Sequence, residues 1–259
     1  MQPILGMQVP INMLTWGYEM NRFIKNYDPK DITLDLLYNT NDWDLIELNY
    51  DLDPAKLTEW WTDVQSKFPH LFFGFNENTH KLDLEKSKEL VEQGYCGYYC
   101  GPIEGLTLAW PVDRDEPLPP PTQANLELFP EVNKDTFFHD AKIMEKFEYG
   151  YFKEIVETFG RDAFRQAIVT LHYPGMYIKQ HIDSKVLKLH IPIETNENAC
   201  FTFGENRETA TSYHFKLGKV YILNTGDWHG TSNDSEFRRA HIITRIADWH
   251  ILDVINMSN

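Results

Sequence analysis

A series of short apolar segments, with Gly204, Gly218, Gly226 and Asn233-Asp234 between them, most constrains what this chain can fold into. The first segment, residues 167–173, is rich in branched aliphatic residues, and Pro174-Gly175 predicts a turn directly after it. Further strands are predicted at 187–193, 199–203, 211–215, 219–224 and 239–247. Many short, closely spaced strands are typical of a β-sandwich or barrel, and we expect a jelly roll of two sheets.

The first half of the chain predicts a mixture of helices and strands. A helix is expected at 53–67, because Asp53 is a good N-cap residue and Pro54 suits the first turn. The other elements expected here and up to the first jelly-roll strand are helices at 83–93 and 141–158, a helical turn at 162–165, and strands at 32–37, 44–48 and within 95–110.

A proline-rich segment divides the chain. Residues 113–123 include Pro117, Pro119, Pro120 and Pro121, which cannot lie inside a helix or a central strand. We therefore expect two parts. Residues 1–130 form a mixed α/β region that packs on or covers the core without folding independently, and residues 131–259 form the jelly-roll core.

Composition and charge narrow the class of protein. An apolar content of 42% and an aromatic content of 14% suit a packed globular protein. The chain has 24 basic and 39 acidic residues, a formal net charge of −15, so binding to nucleic acid through its phosphates is not expected. The three cysteines do not form a disulfide framework, and we interpret them as reduced thiols.

No targeting or membrane segment is expected from the sequence. The first twelve residues have neither a basic start nor a long apolar core, and no apolar run approaches the roughly 18 residues of a membrane span. We expect a cytoplasmic protein that does not bind membranes. The sequence does not indicate an oligomeric state.

His181-Ile182-Asp183 is the segment with the clearest chemical meaning. On an extended segment, side chains two residues apart point to the same side, so His181 and Asp183 lie together. With one distant histidine, His229, they form two imidazoles and one carboxylate, the ligand set of non-haem Fe(II) oxygenases. Arg239 follows shortly after and offers a fixed cation for the remote carboxylate of a co-substrate.

The order of the motifs resembles a known family. Around these residues the chain reads Tyr173-Pro174-Gly175, Leu187-Lys188-Leu189-His190-Ile191-Pro192, Asn224-Thr225-Gly226-Asp227-Trp228-His229-Gly230 and Arg239-Ala240-His241. From about residue 168 to 249 the chain is similar to the aspartyl/asparaginyl β-hydroxylase-type Fe(II)/2-oxoglutarate oxygenases. That resemblance implies a double-stranded β-helix, the cupin-like jelly roll, together with Fe(II), 2-oxoglutarate and O2, and with succinate and CO2 as co-products.

By the same resemblance, individual residues take on roles. His181 and His229 match the two histidine ligands, and Arg239 matches the arginine that pairs with the far carboxylate of 2-oxoglutarate. The resemblance further implies co-substrate contacts from His190, Thr170 and Lys188, the last of which stands where some members carry an arginine. Asp183 completes the triad, and its presence argues against halogenation, because the halide position is filled.

Several neighbouring residues are less clearly assigned. Arg238 adjoins Arg239 on a presumed strand, so only one of them faces inward, and the spacing favours Arg239. The sequence does not decide whether the His172 side chain faces the site. Contacts to substrate are expected from Tyr173, Trp228 and His241, whereas His214, His250 and the Trp60-Trp61 pair are expected to be structural.

Together these features predict a dioxygenase that hydroxylates an aliphatic C–H bond of an amino acid, free or within a peptide or conjugate. Three alternatives stay open at this point: a desaturase that uses the same metal site, a non-catalytic jelly-roll module that binds or senses a ligand, and a zinc hydrolase. The sequence does not identify the substrate or the carbon that is oxidised.

Overall fold

The computed structural model describes residues 22–40, 42–68, 97–100, 103–111, 141–183 and 187–257. Two short 3-10 helices lie at Pro29–Asp31 and Arg161–Phe164. The helices are α1 (Leu34–Asn39), α2 (Pro54–Lys67), α3 (Gly150–Phe159) and α4 (Ile251–Asn256). The strands are β1 (Phe23–Ile24), β2 (Leu45–Asp51), β3 (Gly97–Cys100), β4 (Ile103–Thr107), β5 (Ala109–Pro111), β6 (Ala141–Ile143), β7 (Arg165–His172), β8 (Tyr177–His181), β9 (Leu187–Glu194), β10 (Ala199–Phe203), β11 (Thr211–His214), β12 (Lys219–Asn224), β13 (His229–Asn233) and β14 (Arg239–Arg245).

Strands β7 to β14 form the jelly roll. Four of them lie side by side in the major sheet in the order β12-β9-β14-β7, and the other four form the minor sheet in the order β11-β10-β13-β8. All of these pairings are antiparallel. Because the chain passes repeatedly from one sheet to the other, the result is a double-stranded β-helix, which confirms the predicted fold.

Strands from the first half of the chain extend the major sheet at both edges. β2 pairs with β12 and carries β1 beside it, whereas β4 pairs with β7 and carries β3 beside it. Both edges of the jelly-roll layer are therefore paired, which covers backbone groups that would otherwise be exposed. The division of the chain at residue 130 stays a prediction, since the proline-rich segment lies outside the described residues.

Alternation along the strands gives the major sheet two different faces. On β9 and β14, Leu189, Ile191, Ala240 and Ile242 belong to the large apolar cluster that the sheet forms with α2, α3 and α4. The residues between them point into the space between the sheets, because successive strand side chains point to opposite faces. The apolar outer face thus anchors the sheet while the inner face is free to carry polar groups.

The helices cover the outer face through aromatic residues. Trp60 and Trp61 of α2 are both buried, and the Trp60 ring stacks on Phe152 of α3 with ring centroids 4.6 Å apart. This placement agrees with the structural role expected for the tryptophan pair. None of the described helices is long and apolar enough to span a bilayer.

Most predicted elements of the described region are present. The strands predicted between 167 and 247 correspond to β7, β9, β10, β11, β12 and β14, and the predicted helix at 53–67 is α2. The strand predicted at 44–48 is β2. The helix predicted at 83–93 lies outside the described residues.

Two predictions were wrong. The segment 32–37 is not a strand but includes the start of helix α1, because the Thr33 hydroxyl accepts a hydrogen bond from the Leu36 N–H at 3.2 Å and caps the helix. Residues 141–158 are not one helix. Their first residues form β6, which pairs with β5, and the helix begins only at Gly150. The pairing of β6 with the distant strand β5 therefore overrides the helical preference of residues 141–143.

The N-terminus of α2 offers a test of the local analysis. The Asp53 carboxylate accepts hydrogen bonds from the N–H groups of Ala55 and Lys56 at 2.9 and 3.2 Å. Replacing Asp53 with Ala removes this cap, so the free energy of unfolding should fall by about 1 kcal/mol in urea denaturation. Asp53→Asn keeps an acceptor and should stay within a few tenths of a kcal/mol of the parent protein. Equal losses in both variants would contradict the capping role.

Candidate metal centre

Adjacent strands of the minor sheet bring the three predicted ligands together. His181 is the last residue of β8 and His229 is the first residue of β13, and the two are paired across the sheet with ring centroids 4.4 Å apart. Asp183 follows β8 by two residues, where its N–H donates a hydrogen bond to the Thr225 carbonyl at 2.9 Å. That hydrogen bond ties the loop carrying the carboxylate to the loop that leads to His229.

The donor atoms converge. The Nε2 atom of His181 lies 3.7 Å from Oδ1 of Asp183, and the Nε2 atom of His229 lies 3.8 Å from Oδ2 of the same carboxylate. All three donors lie within 4.8 Å of one another, and no other such group is found in the part of the chain that the structure describes. Two imidazoles and a carboxylate in this arrangement are the ligands of Fe(II) in non-haem oxygenases.

Backbone carbonyls orient both imidazole rings. The Nδ1 atom of His181 lies 2.8 Å from the Lys179 carbonyl oxygen, and that of His229 lies 2.9 Å from the Asp227 carbonyl oxygen. A carbonyl oxygen can only accept, so each ring carries its proton on Nδ1 and directs the lone pair of Nε2 toward Asp183. The rings therefore fit a divalent metal without reorientation.

The charges at the site also suit a metal. Burial acts to raise the pKa of Asp183. The ammonium group of Lys188 contacts Oδ2 of the carboxylate and, together with the two histidines, has the larger effect. The pKa of Asp183 is therefore held below its usual value. Burial lowers the pKa of His229 to about 4. At neutral pH the site thus offers an ionised carboxylate and a neutral imidazole, which are the forms that bind metal.

A second polar group lies in the interior between the sheets. Arg239 is only 1% exposed, and its Nε and Nη1 atoms have no hydrogen-bond partner among the described residues. The same holds for both ring nitrogens of His190 and of His241. Leaving a buried cation unpaired is costly, and burial lowers the pKa of Arg239 to about 9. The pocket therefore fits an anion such as a carboxylate.

Aromatic rings line the same interior. The guanidinium carbon of Arg239 lies 4.7 Å from the centroid of the Phe201 ring, and Phe215 stacks on Phe201 with centroids 4.6 Å apart. The His190 ring meets Phe201 edge-to-face at 4.9 Å. These rings exclude water, so an ionic contact made by Arg239 is stronger there than at the surface.

The two neighbouring arginines point in opposite directions. Arg238 binds the carboxylate of Glu194 through Nε at 2.8 Å and Nη2 at 2.5 Å, and it also donates to Gln65 at 2.7 Å. The indole N–H of Trp61 donates to the same carboxylate at 2.6 Å. Arg238 is thus paired on the helix-covered side of the sheet, while Arg239 faces the interior, as the alternation of strand side chains requires.

Part of the chain matches a known protein family. Residues 145–248 match the aspartyl/asparaginyl beta-hydroxylase family. The resemblance inferred from the motifs is thereby confirmed over the part of the chain that carries them. The matched region covers less than half of the chain and includes His181, Asp183 and His229, the three residues of the donor set.

Solved structures with low sequence identity also resemble the chain. One is an oxidoreductase of the 2OG-Fe(II) oxygenase family from Burkholderia pseudomallei, with 10% identity, a TM-score of 0.32, and coverage of 55% of this chain and 65% of that one. Another is a prolyl-4-hydroxylase from Pseudomonas putida, with 7% identity, a TM-score of 0.40, and coverage of 85% and 100%.

A third is HygX from Streptomyces hygroscopicus, whose structure contains nickel, 2-oxoglutarate and hygromycin B, with 13% identity, a TM-score of 0.26, and coverage of 30% and 53%. This chain therefore spans less than two thirds of the length of the Burkholderia protein and of HygX. No curated protein has significant sequence similarity to the chain.

The remaining residues predicted for the site differ in how deeply they are buried. Thr170 is buried on β7 opposite His241, and its hydroxyl lies 3.5 Å from the His241 carbonyl oxygen. Tyr173 packs against the outer apolar cluster and hydrogen-bonds Arg238. Trp228 is half-buried beside His229. His250 is structural, with its Nε2 atom 2.7 Å from the Phe159 carbonyl oxygen.

Sequence reasoning did not assign some residues that the structure brings to the site. His172 faces the interior opposite Arg239, and its Nδ1 atom lies 3.3 Å from the Thr231 hydroxyl of the minor sheet. Arg22 binds Asp44 at 2.7 Å and contacts Asp227, whose carbonyl orients His229. Strand alternation pointed to His172. The contact between Arg22 and Asp227 joins segments 205 positions apart, so no local pattern in the sequence predicts it.

The buried histidines predict how stability depends on pH in the metal-free protein. Burial lowers the pKa values of His172, His190 and His241 well below 6.5, so the folded protein keeps them neutral while the unfolded chain takes up protons. The free energy of unfolding should therefore fall as pH drops below about 6.5, by up to roughly 1.4 kcal/mol per pH unit for each histidine.

Urea denaturation between about pH 8 and pH 5 measures this slope. Asp44 acts in the opposite direction below about pH 6, because burial raises its pKa to that value. It contributes one proton against four, since His229, with a pKa of about 4, adds to the three buried histidines. His172→Gln should make the slope shallower by about one proton. The same slope in the variant and the parent would show that His172 is not held neutral in the folded state.

Proposed function

We propose that the chain is an Fe(II)- and 2-oxoglutarate-dependent dioxygenase that hydroxylates an aliphatic C–H bond of an amino acid, free or within a peptide or conjugate. The observation that carries the proposal is the combination of two complementary groups inside one jelly roll. One is a convergent His-Asp-His donor set, and the other is a buried cation, Arg239, without a hydrogen-bond partner for its Nε and Nη1 atoms among the described residues. A co-substrate that chelates a metal at one end and carries a carboxylate at the other matches both.

In this proposal His181, Asp183 and His229 hold the metal. They provide three ligands, which leaves coordination positions for other molecules. When bound, Fe(II) with 2-oxoglutarate and O2 supplies the oxidation, releasing succinate and CO2 and transferring one oxygen atom to the substrate. The protein supplies orientation, charge and exclusion of water.

Arg239 is proposed to bind the far carboxylate of 2-oxoglutarate. A guanidinium group can bind a carboxylate through two hydrogen bonds, and this pairing supplies the partner that the buried cation lacks. His190 lies close enough to Lys188, Arg239 and His229 for their charges to lower its pKa, after the larger effect of burial. We therefore place His190 between the anion pocket and the metal, where a neutral imidazole can donate to the co-substrate.

Lys188 and Thr170 are proposed as further co-substrate contacts. Lys188 contacts Asp183 and is about one third exposed, so its ammonium group lies at the open side of the metal centre. Thr170 stands opposite His241 at the buried end of the pocket. Substrate contacts are proposed for Trp228, which adjoins a ligand, and for His241, which lies inside the anion pocket. The contact expected from Tyr173 is not part of this proposal, because Tyr173 packs against the outer apolar cluster with Arg238.

The co-substrate site is tested by anaerobic titration of the Fe(II)-loaded protein with 2-oxoglutarate, following the visible metal-to-ligand charge-transfer band. The parent protein should show the band. Arg239→Ala should bind 2-oxoglutarate about 10- to 100-fold more weakly, because a buried charge-assisted contact is lost. Arg238→Ala is the matched control, since its partners lie on the other face of the sheet, and its affinity should be unchanged.

Absence of the band in the parent protein at saturating 2-oxoglutarate would remove the basis of the oxygenase proposal and favour a binding module or another metal. If Arg238→Ala lost affinity for 2-oxoglutarate and Arg239→Ala did not, Arg238 and not Arg239 would be the residue that binds the carboxylate.

Catalysis is tested separately by succinate release with a panel of free amino acids and peptides. Asp183→Ala removes one of three ligands and should reduce substrate-dependent succinate release by at least about 100-fold. Asp234→Ala, which removes an exposed carboxylate paired with Arg207, should leave the rate unchanged. Substrate binding that persists in the parent protein without any succinate release would support a non-catalytic role.

A further inference from the structure

A β-bulge lies directly behind the two histidines of the metal centre. Between β8 and β13, His181 pairs with His229 and Ile178 pairs with Thr231. Two residues of β8, Lys179 and Gln180, therefore lie opposite the single residue Gly230. Bulges of this kind bend a strand and redirect the adjacent side chain. Here the bulged residue Lys179 supplies the carbonyl that lies 2.8 Å from Nδ1 of His181.

The side chain of Gln180 holds this bulge against a third strand. Gln180 is 8% exposed, and its Nε2 atom donates to the Thr202 hydroxyl at 3.1 Å and to the Gly204 carbonyl at 3.2 Å. Its Oε1 atom accepts from the Tyr177 hydroxyl at 3.4 Å. One buried amide thus connects β8 with the end of β10.

The hydrogen bond from Gln180 to Gly204 also links Gln180 to the segment that carries His229. The N–H of Gly204 donates to the carbonyl oxygen of Trp228 at 2.9 Å, and Trp228 immediately precedes His229. Gln180 therefore contacts the segment that carries His181 and, through Gly204, the segment that carries His229. The two segments that carry the histidine ligands are therefore connected through this one amide.

Gly230 provides the space that the amide occupies. A Cβ atom at this position would lie 2.1 Å from Oε1 of Gln180 and 2.7 Å from the carbonyl oxygen of Ile178. Both distances are far below van der Waals contact. No residue with a side chain fits here unless the Gln180 amide and the backbone of β8 both move.

We propose that Gln180 is a positioning residue for the metal centre and that Gly230 is the space it requires. Gln180 keeps the bulge in β8, the bulge presents the Lys179 carbonyl to His181, and the ring is thereby held with Nε2 toward Asp183. This inference rests on the proposed function, since it assigns a role in metal binding, but its structural part concerns the metal-free protein.

The first test measures Co(II) binding by titration and records the visible d–d spectrum of the loaded protein. Gln180→Leu should weaken Co(II) binding by about 10- to 100-fold, the usual cost of losing a group that orients a ligand, and should alter the spectrum. Gln65→Leu is the matched control, because the Gln65 amide contacts Arg238 on the outer face of the sheet. It should match the parent protein in both measurements.

The second test needs no metal. Long-range ¹H–¹⁵N NMR of the imidazole rings at alkaline pH reports which nitrogen carries the proton. The parent protein and Gln65→Leu should show His181 protonated on Nδ1, whereas Gln180→Leu should show a mixture of tautomers. Thr202→Val removes one hydroxyl that contacts both ends of the Gln180 amide, at 3.1 Å from Nε2 and 3.4 Å from Oε1. It should change the Co(II) affinity and the tautomer in the same direction as Gln180→Leu, but by less. It replaces Gln180→Leu if that variant does not fold.

The outcomes separate the two proposals. Parent-like Co(II) affinity and an unchanged His181 tautomer in Gln180→Leu would overturn the positioning role while leaving the metal site intact. A parent protein that binds no Co(II) would overturn the proposed function, and the tautomer measurement would then decide whether Gln180 orients His181.

Discussion

The alternation of side chains along the strands of the major sheet is the constraint on which the rest of the structure depends. Each strand contributes one row of apolar residues to the cluster under the helices and one row to the space between the sheets. The outer row holds the sheet in place by burial of apolar surface. Because that row provides the anchoring, the inner row can carry His190, Arg239 and His241 without the sheet coming apart.

The interior of the jelly roll carries an electrostatic cost that a ligand would relieve. Arg239 and the rings of His190 and His241 are buried with unpaired nitrogen atoms among the described residues. Groups that bind a ligand only in the folded state convert that binding into stability. An anion that pairs with Arg239, and a metal that pairs with Asp183, would therefore stabilise the protein, and the anion would do so where buried nitrogen atoms of the described residues lack partners.

Much of the fold follows from local patterns. Short apolar runs, several of them followed by glycine or Pro-Gly, predicted six of the eight jelly-roll strands, and the Asp53-Pro54 pair predicted the start of α2. β8 and β13 were not predicted as strands because they are short and polar and owe their conformation to pairing with neighbours. The pairing of β5 with β6 likewise overrode a helical pattern at 141–158, since the partner strand is about thirty residues distant in sequence.

The sequence by itself determined the chemistry available at the site: a histidine and an aspartate two residues apart, a second histidine before a glycine, and an arginine ten residues later. Only the tertiary structure decided how these groups are arranged. Pairing of β8 with β13 brings His181 to His229, a bulge opposite Gly230 turns the Lys179 carbonyl to the ring, and burial leaves Arg239 without a partner for its Nε and Nη1 atoms among the described residues. The physical reason is that residue types set which atoms can bind, whereas distances, tautomers and desolvation arise from contacts between segments far apart in the chain.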